Sequence, residues 1–160
     1  MKNHLPIVSF IVVIALLSCM SGPVFAGPDA SPDMIKANKF FSDGNYAGAL
    51  DAYRGAIRTQ APADQPPTQY WIGFCCLMQG KDAEAVKEFL KIPENYPADG
   101  MWISTAYYWA ARASERMGKK EQAAEFYRKA GGSGKSTQER FAMKKAENVN
   151  KGQAASGKGK

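Results

Sequence analysis

The chain has 160 residues, 45% of them hydrophobic and 22% charged, enough for one domain with one modest core but not for two. The only histidine is His4, so imidazole-based catalytic triads and the usual zinc sites have no side chain to draw on in the body of the sequence. The formal charge of +6 is unevenly placed: residues 27–111 hold 7 basic against 10 acidic side chains, and residues 112–160 hold 13 against 5.

In chain order, the first element is a leader. Lys2 supplies positive charge, an apolar run extends from Ile7 to Leu17, and SGPVFA ends in small residues at Val24 and Ala26. This is the pattern of a secretory signal peptide over residues 1–26, and it implies an exported, periplasmic protein starting at Gly27. The apolar run is too short to span a bilayer comfortably, and no later segment nears the roughly 20 apolar residues a membrane helix needs. LLSC at residues 16–19 resembles the bacterial lipoprotein box, which leaves a second possibility open: lipidation at Cys19 and anchorage at the outer membrane.

Next come three look-alike segments, GNYAGALDAYRGAI (44–57), GKDAEAVKEFLKI (80–92) and GKKEQAAEFYRKA (118–130). Each opens on glycine, has alanine five residues on (Ala49, Ala85, Ala123), an aromatic four further (Tyr53, Phe89, Tyr127), and Ala56, Ile92 or Ala130 three after that. Steps of four and three share one helix face, and the small alanine admits a close neighbour. The glycine ends the preceding helix, where positive φ is wanted. Before each glycine lies another amphipathic run: DMIKANKFFSD, TQYWIGFCCLMQ and STAYYWAARASERM. The unit is helix, turn, helix, three times over, with Pro-containing linkers APADQPPT and PADG between units. Cys75 and Cys76 are adjacent on one such helix; they point about 100° apart and cannot close an unstrained disulfide, so they read as small buried apolar side chains.

These residues resemble the tetratricopeptide repeat family from about Ser31 to Ala130. Repeat one matches the family signature at Ala37, Gly44, Tyr46, Ala49, Tyr53 and Ala56; repeat two at Gly73, Gly80, Ala85, Phe89 and Pro97; repeat three at Ala111, Gly118, Ala123, Tyr127 and Ala130. Asp82 and Lys120 stand where the family usually has tyrosine, and Ile92 where it usually has alanine. The resemblance implies an all-α fold of three helix-turn-helix repeats in a short right-handed superhelix, spanning residues 27–150 with a C-terminal capping helix. YYWAARASERMGKKEQAAEFYRKA also looks like helical repeats of bacterial envelope proteins, among them the superhelical regions of lytic transglycosylases and the repeat domains of Tol-Pal-associated and outer-membrane assembly proteins.

KAGGSGKSTQER contains GKST, a fragment of the nucleotide-binding P-loop. A true P-loop needs glycine five residues before the glycine of GKST, and there the chain has Lys129. It also needs a preceding strand, and this segment follows a helical pattern. The same residues read as helix punctuation: Gly131 and Gly132 stop one helix, while Ser136 and Glu139 form a capping box for the next, which would lay Phe141, Met143 and Ala146 on the last repeat. Residues 151–160, KGQAASGKGK, read as a disordered basic tail.

In the family resembled, the first helices of successive repeats line a groove. Carried onto this sequence, the groove would present Met34, Asn38, Phe41, Tyr70, Phe74, Leu77, Met78, Tyr108, Arg112, Glu115 and Arg116. Aromatics, Met and Arg are the usual material of binding hot spots. The family's carboxylate-clamping members use Lys, Asn and Arg at set groove positions; here only Asn38 matches, and Trp71 and Trp109 occupy two of the others. The expectation is a non-catalytic scaffold or adaptor, with no cofactor, binding a protein or peptide partner in the cell envelope. The basic C-terminus would suit an anionic envelope polymer or lipid surface, and nucleic acid is not expected of an exported chain. Two alternatives stand beside it: an accessory helical protein of a peptidoglycan-processing enzyme system, and a lipid-anchored envelope-assembly lipoprotein. Glu115 is the one groove acid, and a lone carboxylate is poor equipment for acid–base catalysis.

Overall fold

The computed structural model describes residues 31–132 and 137–156, the side chains of 137–139 and 150–156 excepted. Seven α-helices follow one another there: α1 (Pro32–Ser42), α2 (Tyr46–Ala56), α3 (Gln65–Met78), α4 (Asp82–Asn95), α5 (Gly100–Arg116), α6 (Lys120–Gly131) and α7 (Thr137–Ser156). A short 3-10 turn, Pro62–Asp64, precedes α3. Each helix packs on the next, and α3 also packs on α5. The architecture is therefore all-α, three helix hairpins in series with a final helix laid on the third. The expected leader at residues 1–26, Cys19, the SGKS stretch 133–136 and the side chains of the expected Ser136–Glu139 capping box lie outside the described residues. No described helix is long and apolar enough to cross a membrane.

The three hairpin turns are the same turn. Gly44, Gly80 and Gly118 have φ of +75°, +74° and +72°, a region where side-chain-bearing residues are strained. In each, the glycine N–H donates to the carbonyl three residues back (Phe41, Leu77, Glu115). The following N–H donates to the carbonyl five back (Phe40, Cys76, Ser114). These bonds satisfy carbonyls that a helix end leaves without partners. Ser31, Asn45 and Asp99 cap α1, α2 and α5 by accepting from the N–H groups of Met34, Gly48 and Trp102.

The repeat signature forms the core. Ala37, Ala49, Ala56, Ala85, Phe89, Ile92, Ala111, Ala123 and Tyr127 are fully buried, Tyr53 and Ala130 are 1% exposed, and Gly73 is buried as well. Gly73 is an approach site: a Cβ there would stand 2.8 Å from two ring carbons of Phe89, so only glycine lets α3 lie this close to α4. Tyr46 is half-buried with its ring 5.3 Å from that of Phe41, and Pro97 is exposed in the turn after α4. Cys75 and Cys76 are fully buried free thiols.

Four boundaries differ from the sequence expectation. Pro66 and Pro67 lie in the first turn of α3 and not in a linker, since a helix start has no N–H partner for proline to forfeit. α4 runs through Pro93 to Asn95, because proline's fixed φ suits a helix and only one bond is lost. α5 starts at Gly100, which brings Trp102 into its first turn. α7 continues to Ser156, so the expected domain end at residue 150 falls inside a helix; Gln153, Ala154 and Ala155 are compatible with helical backbone. The inward face of α7 also differs: Ala142 and Ala146 are buried, whereas Phe141 is 50% and Met143 44% exposed. The buried pair, four residues apart, forms one stripe with half-buried Val149, and Phe141 and Met143 sit about 100° to either side.

Candidate functional site

The first helices of the hairpins, α1, α3 and α5, together with α7, carry a continuous band of aromatic rings. Phe41 on α1 meets Trp71 and Phe74 on α3 at centroid distances of 5.0 and 6.0 Å. Phe74 meets Trp109 on α5 at 4.8 Å, Trp109 meets Tyr108 at 5.7 Å, and Tyr108 meets Phe141 on α7 at 6.2 Å. Within the band, three contacts are close to perpendicular: Trp71–Phe74 at 84°, Phe74–Trp109 at 90° and Tyr108–Trp109 at 87°. Edge-to-face pairs of this kind add about 0.5–1.5 kcal/mol each beyond burial; of the three, Phe74–Trp109 joins two helices and helps hold α3 and α5 in register. Phe41, Trp71, Phe74, Tyr108 and Trp109 are nevertheless only half-buried and Phe141 is exposed, which leaves a run of aromatic surface across four helices.

The sequence-predicted groove residues divide into those on this surface and those whose chemistry is already engaged. Phe41, Phe74 and Tyr108 belong to the band. Arg112 is exposed one helical turn beyond Tyr108, and Met78 is 45% exposed at the end of α3. Leu77, by contrast, is 5% exposed and belongs to the core, because its side chain turns inward with Cys76. Met34 is half-buried and its Sδ accepts from the Thr68 hydroxyl at 3.5 Å.

Asn38 accepts the Tyr53 hydroxyl at 2.7 Å, and Glu115 accepts the Tyr127 hydroxyl at 2.6 Å, so both join the two helices of their own hairpin. Burial, followed by the Glu115 carboxylate, pushes the Tyr127 phenol well above its ordinary value; Tyr53 is raised by burial and then by neighbouring Cys75. Arg116 donates to the Leu77 carbonyl at 3.2 Å and pairs with Asp82 at 3.2 Å, tying α5 back to the preceding hairpin. Its side chain is 48% exposed. Such a pair contributes about 1 kcal/mol at most, and its effect is on register more than stability.

Tyr70 is wedged among four rings, those of Trp71, Phe74, Phe89 and Trp102, at 5.3 to 5.9 Å, and burial pushes its phenol up to about 12. It is part of the packing beneath the band. Trp71 and Trp109, absent from the predicted set, are central members of the surface. Their signal was present in the sequence: each follows a predicted groove tyrosine directly, on a helix with aromatics at successive positions.

A polar cluster, illegible in the sequence, is centred on Glu88. Glu88 on α4 accepts from Arg54 on α2 at 3.3 Å, Gln69 on α3 at 2.9 Å and Lys91 at 2.7 Å. Burial alone would raise its pKa, but the hydrogen bonds from Lys91 and Gln69, with the Lys91 charge, outweigh it and hold the carboxyl below its usual range. Three helices are thereby tied at one carboxylate.

Among the described residues no group of three or more His, Cys, Asp or Glu is placed to hold a metal ion. No curated protein matches the chain. Residues 68–99 and 105–131 match the family model described as tetratricopeptide repeat, and these segments are the hairpins α3–α4 and α5–α6. Repeats of this family mediate protein–protein interaction. The chain is thus an all-α helical repeat protein, similar to tetratricopeptide repeats over its second and third hairpins and built on the same glycine turn in its first.

Proposed function

We propose that the protein is an exported, non-catalytic docking module of the bacterial cell envelope, which holds a protein or peptide partner on the aromatic band of its first helices. The observation that carries this reading is the band itself: five half-buried rings and one exposed ring in continuous contact across α1, α3, α5 and α7, with exposed Arg112 one helical turn beyond Tyr108. Rigid aromatics bind at low conformational cost, and a neighbouring Arg adds direction. Tyr70 is a poor residue for a test, since truncating it would open the core against Phe89. Arg112 and Phe141 are exposed and can change without that penalty.

The test is retention of proteins from envelope extract at moderate salt by the wild type, by R112E/F141A, and by K87E on exposed α4 surface. Retention of one or two partners should fall at least about tenfold in R112E/F141A. It should persist in K87E, with the helical circular dichroism of all three alike. Equal retention by all three, or loss in both variants alike, would remove the band as the docking surface.

Export rests on the leader pattern of Lys2, the apolar run Ile7–Leu17 and the small residues up to Ala26. Expressed in a bacterial host with its leader, the protein should appear in the periplasm with Gly27 as its first residue, read by mass spectrometry of the intact chain. An acylated Cys19 at the start would establish the lipoprotein form instead, and an uncleaved cytoplasmic chain would overturn export altogether.

A further inference from the structure

Each junction between consecutive hairpins is bridged by a polar side chain near the end of the incoming first helix. At the first junction the Gln79 amide donates to the Tyr46 carbonyl at 3.2 Å. At the second, Arg116 reaches both the Leu77 carbonyl and the Asp82 carboxylate. The third junction, between the last hairpin and α7, is built differently. Counted from the turn glycines Gly80 and Gly118, the counterparts of Leu77 and Asp82 are Glu115 and Lys120. An acid that met an arginine has become a lysine, and α7 faces it with Lys145, Asn148 and Val149. Between them lies an open cleft of about 310 Å³, lined by these five residues.

The charges in this cleft do not balance. Glu115 supplies its one carboxylate, and that group already accepts the Tyr127 hydroxyl at 2.6 Å. Lys120 and Lys145 come from different helices and line the same small space, so two positive charges border it against one negative. A compact anion between them would even that balance and accept their hydrogen bonds, and the Asn148 amide can donate a third.

We propose that this cleft is a binding site for a compact oxyanion, a carboxylate or phosphate group, held between Lys120 and Lys145 with Asn148 as a neutral donor. It lies at the turn end of the last hairpin and does not depend on the aromatic band having a partner. The volume admits a free ion or the acidic side chain of a peptide.

The probes are inorganic phosphate and acetyl-glutamate amide, each titrated at constant ionic strength maintained with sodium chloride. The readouts are Tm and the backbone amide resonances of Lys120 and Asn148. Phosphate should raise Tm saturably and move those resonances, and K120Q and K145Q should each weaken binding by about tenfold or more, as loss of a charge-assisted bond implies. K120D restores the acid found at Asp82 and can pair with Lys145; it should abolish the phosphate response while melting in chloride no lower than wild type. Competition by acetyl-glutamate amide would assign the site to carboxylates, and its failure to compete would assign it to phosphate. A non-saturable response, or one equal in wild type, K120Q, K145Q and the exposed-surface control K87Q, would overturn the site.

Discussion

Replacing Phe89 by alanine is expected to destabilise the protein by about 3–5 kcal/mol in urea unfolding followed by helical circular dichroism. The ring is fully buried, lies 5.9 Å from that of Tyr70, and fills the space in front of Gly73. Gly73→Ala attacks the same contact from the other side: its new Cβ would meet ring carbons of Phe89 at 2.8 Å, an overpacking that costs about 1–3 kcal/mol. Both losses are large against a typical total of about 5–15 kcal/mol. The double variant G73A/F89A should lose clearly less than the two losses added, because the methyl introduced in place of Gly73 occupies part of the space that the ring vacates. Strict additivity would mean that the Gly73–Phe89 contact does not set the spacing of α3 and α4.

Alkaline unfolding is the second large effect. Burial pushes the Cys75 thiol from 9.0 up to about 12, helped by adjacent Cys76, and the Tyr70 phenol from 10.0 up to about 12. Cys76, Tyr53 and Tyr127 are also raised. Folded, these groups keep protons that the unfolded chain releases above about pH 9 to 10. Their contribution to stability is therefore complete below that range and is lost as pH rises toward 12. A fully buried group steepens the fall by up to about 1.4 kcal/mol per pH unit, and the partly solvated Tyr70 by less. With Tyr46, Tyr96, Tyr107 and Tyr108 replaced by phenylalanine, phenolate absorbance up to about pH 10.5, where an open phenol is already largely ionised and folded Tyr70 is not, should grow only together with loss of helical signal. Phenolate formed at full helicity in that range would show that Tyr53, Tyr70 and Tyr127 are open to solvent.

The turns and the core were legible because a few residues there have only one physical use. Glycine at φ near +75° ends a helix, and alanine followed by an aromatic four residues on marks a tight helix contact, so the three hairpins could be read directly. The site was harder. Helical periodicity places Tyr70, Trp71 and Phe74 near one another without saying which ring goes beneath and which stays on the surface; that is decided by Phe89 and Trp102, 19 and 32 positions away from Tyr70. Asn38, Glu115 and Arg116 have the chemistry of ligand contacts, yet each meets a residue of its own chain that lies 12 or more positions distant. The prolines misled in a third way, since a linker and the first turn of a helix tolerate them equally well.

The paired thiols in α3 bear on how the chain would reach its fold in the oxidising compartment that the proposed export implies. Once folded, Cys75 and Cys76 are sealed from solvent and held protonated, so neither offers the thiolate that attacks a disulfide. Before folding they are ordinary reactive thiols, and as neighbours they close an internal bridge poorly, which leaves cross-linking between molecules as the hazard. The defence is kinetic. Every hairpin packs chiefly on elements adjacent in sequence, the low-contact-order arrangement that folds fast, and α3 is covered once α4 folds back over it at Gly80 and α2 packs beside it.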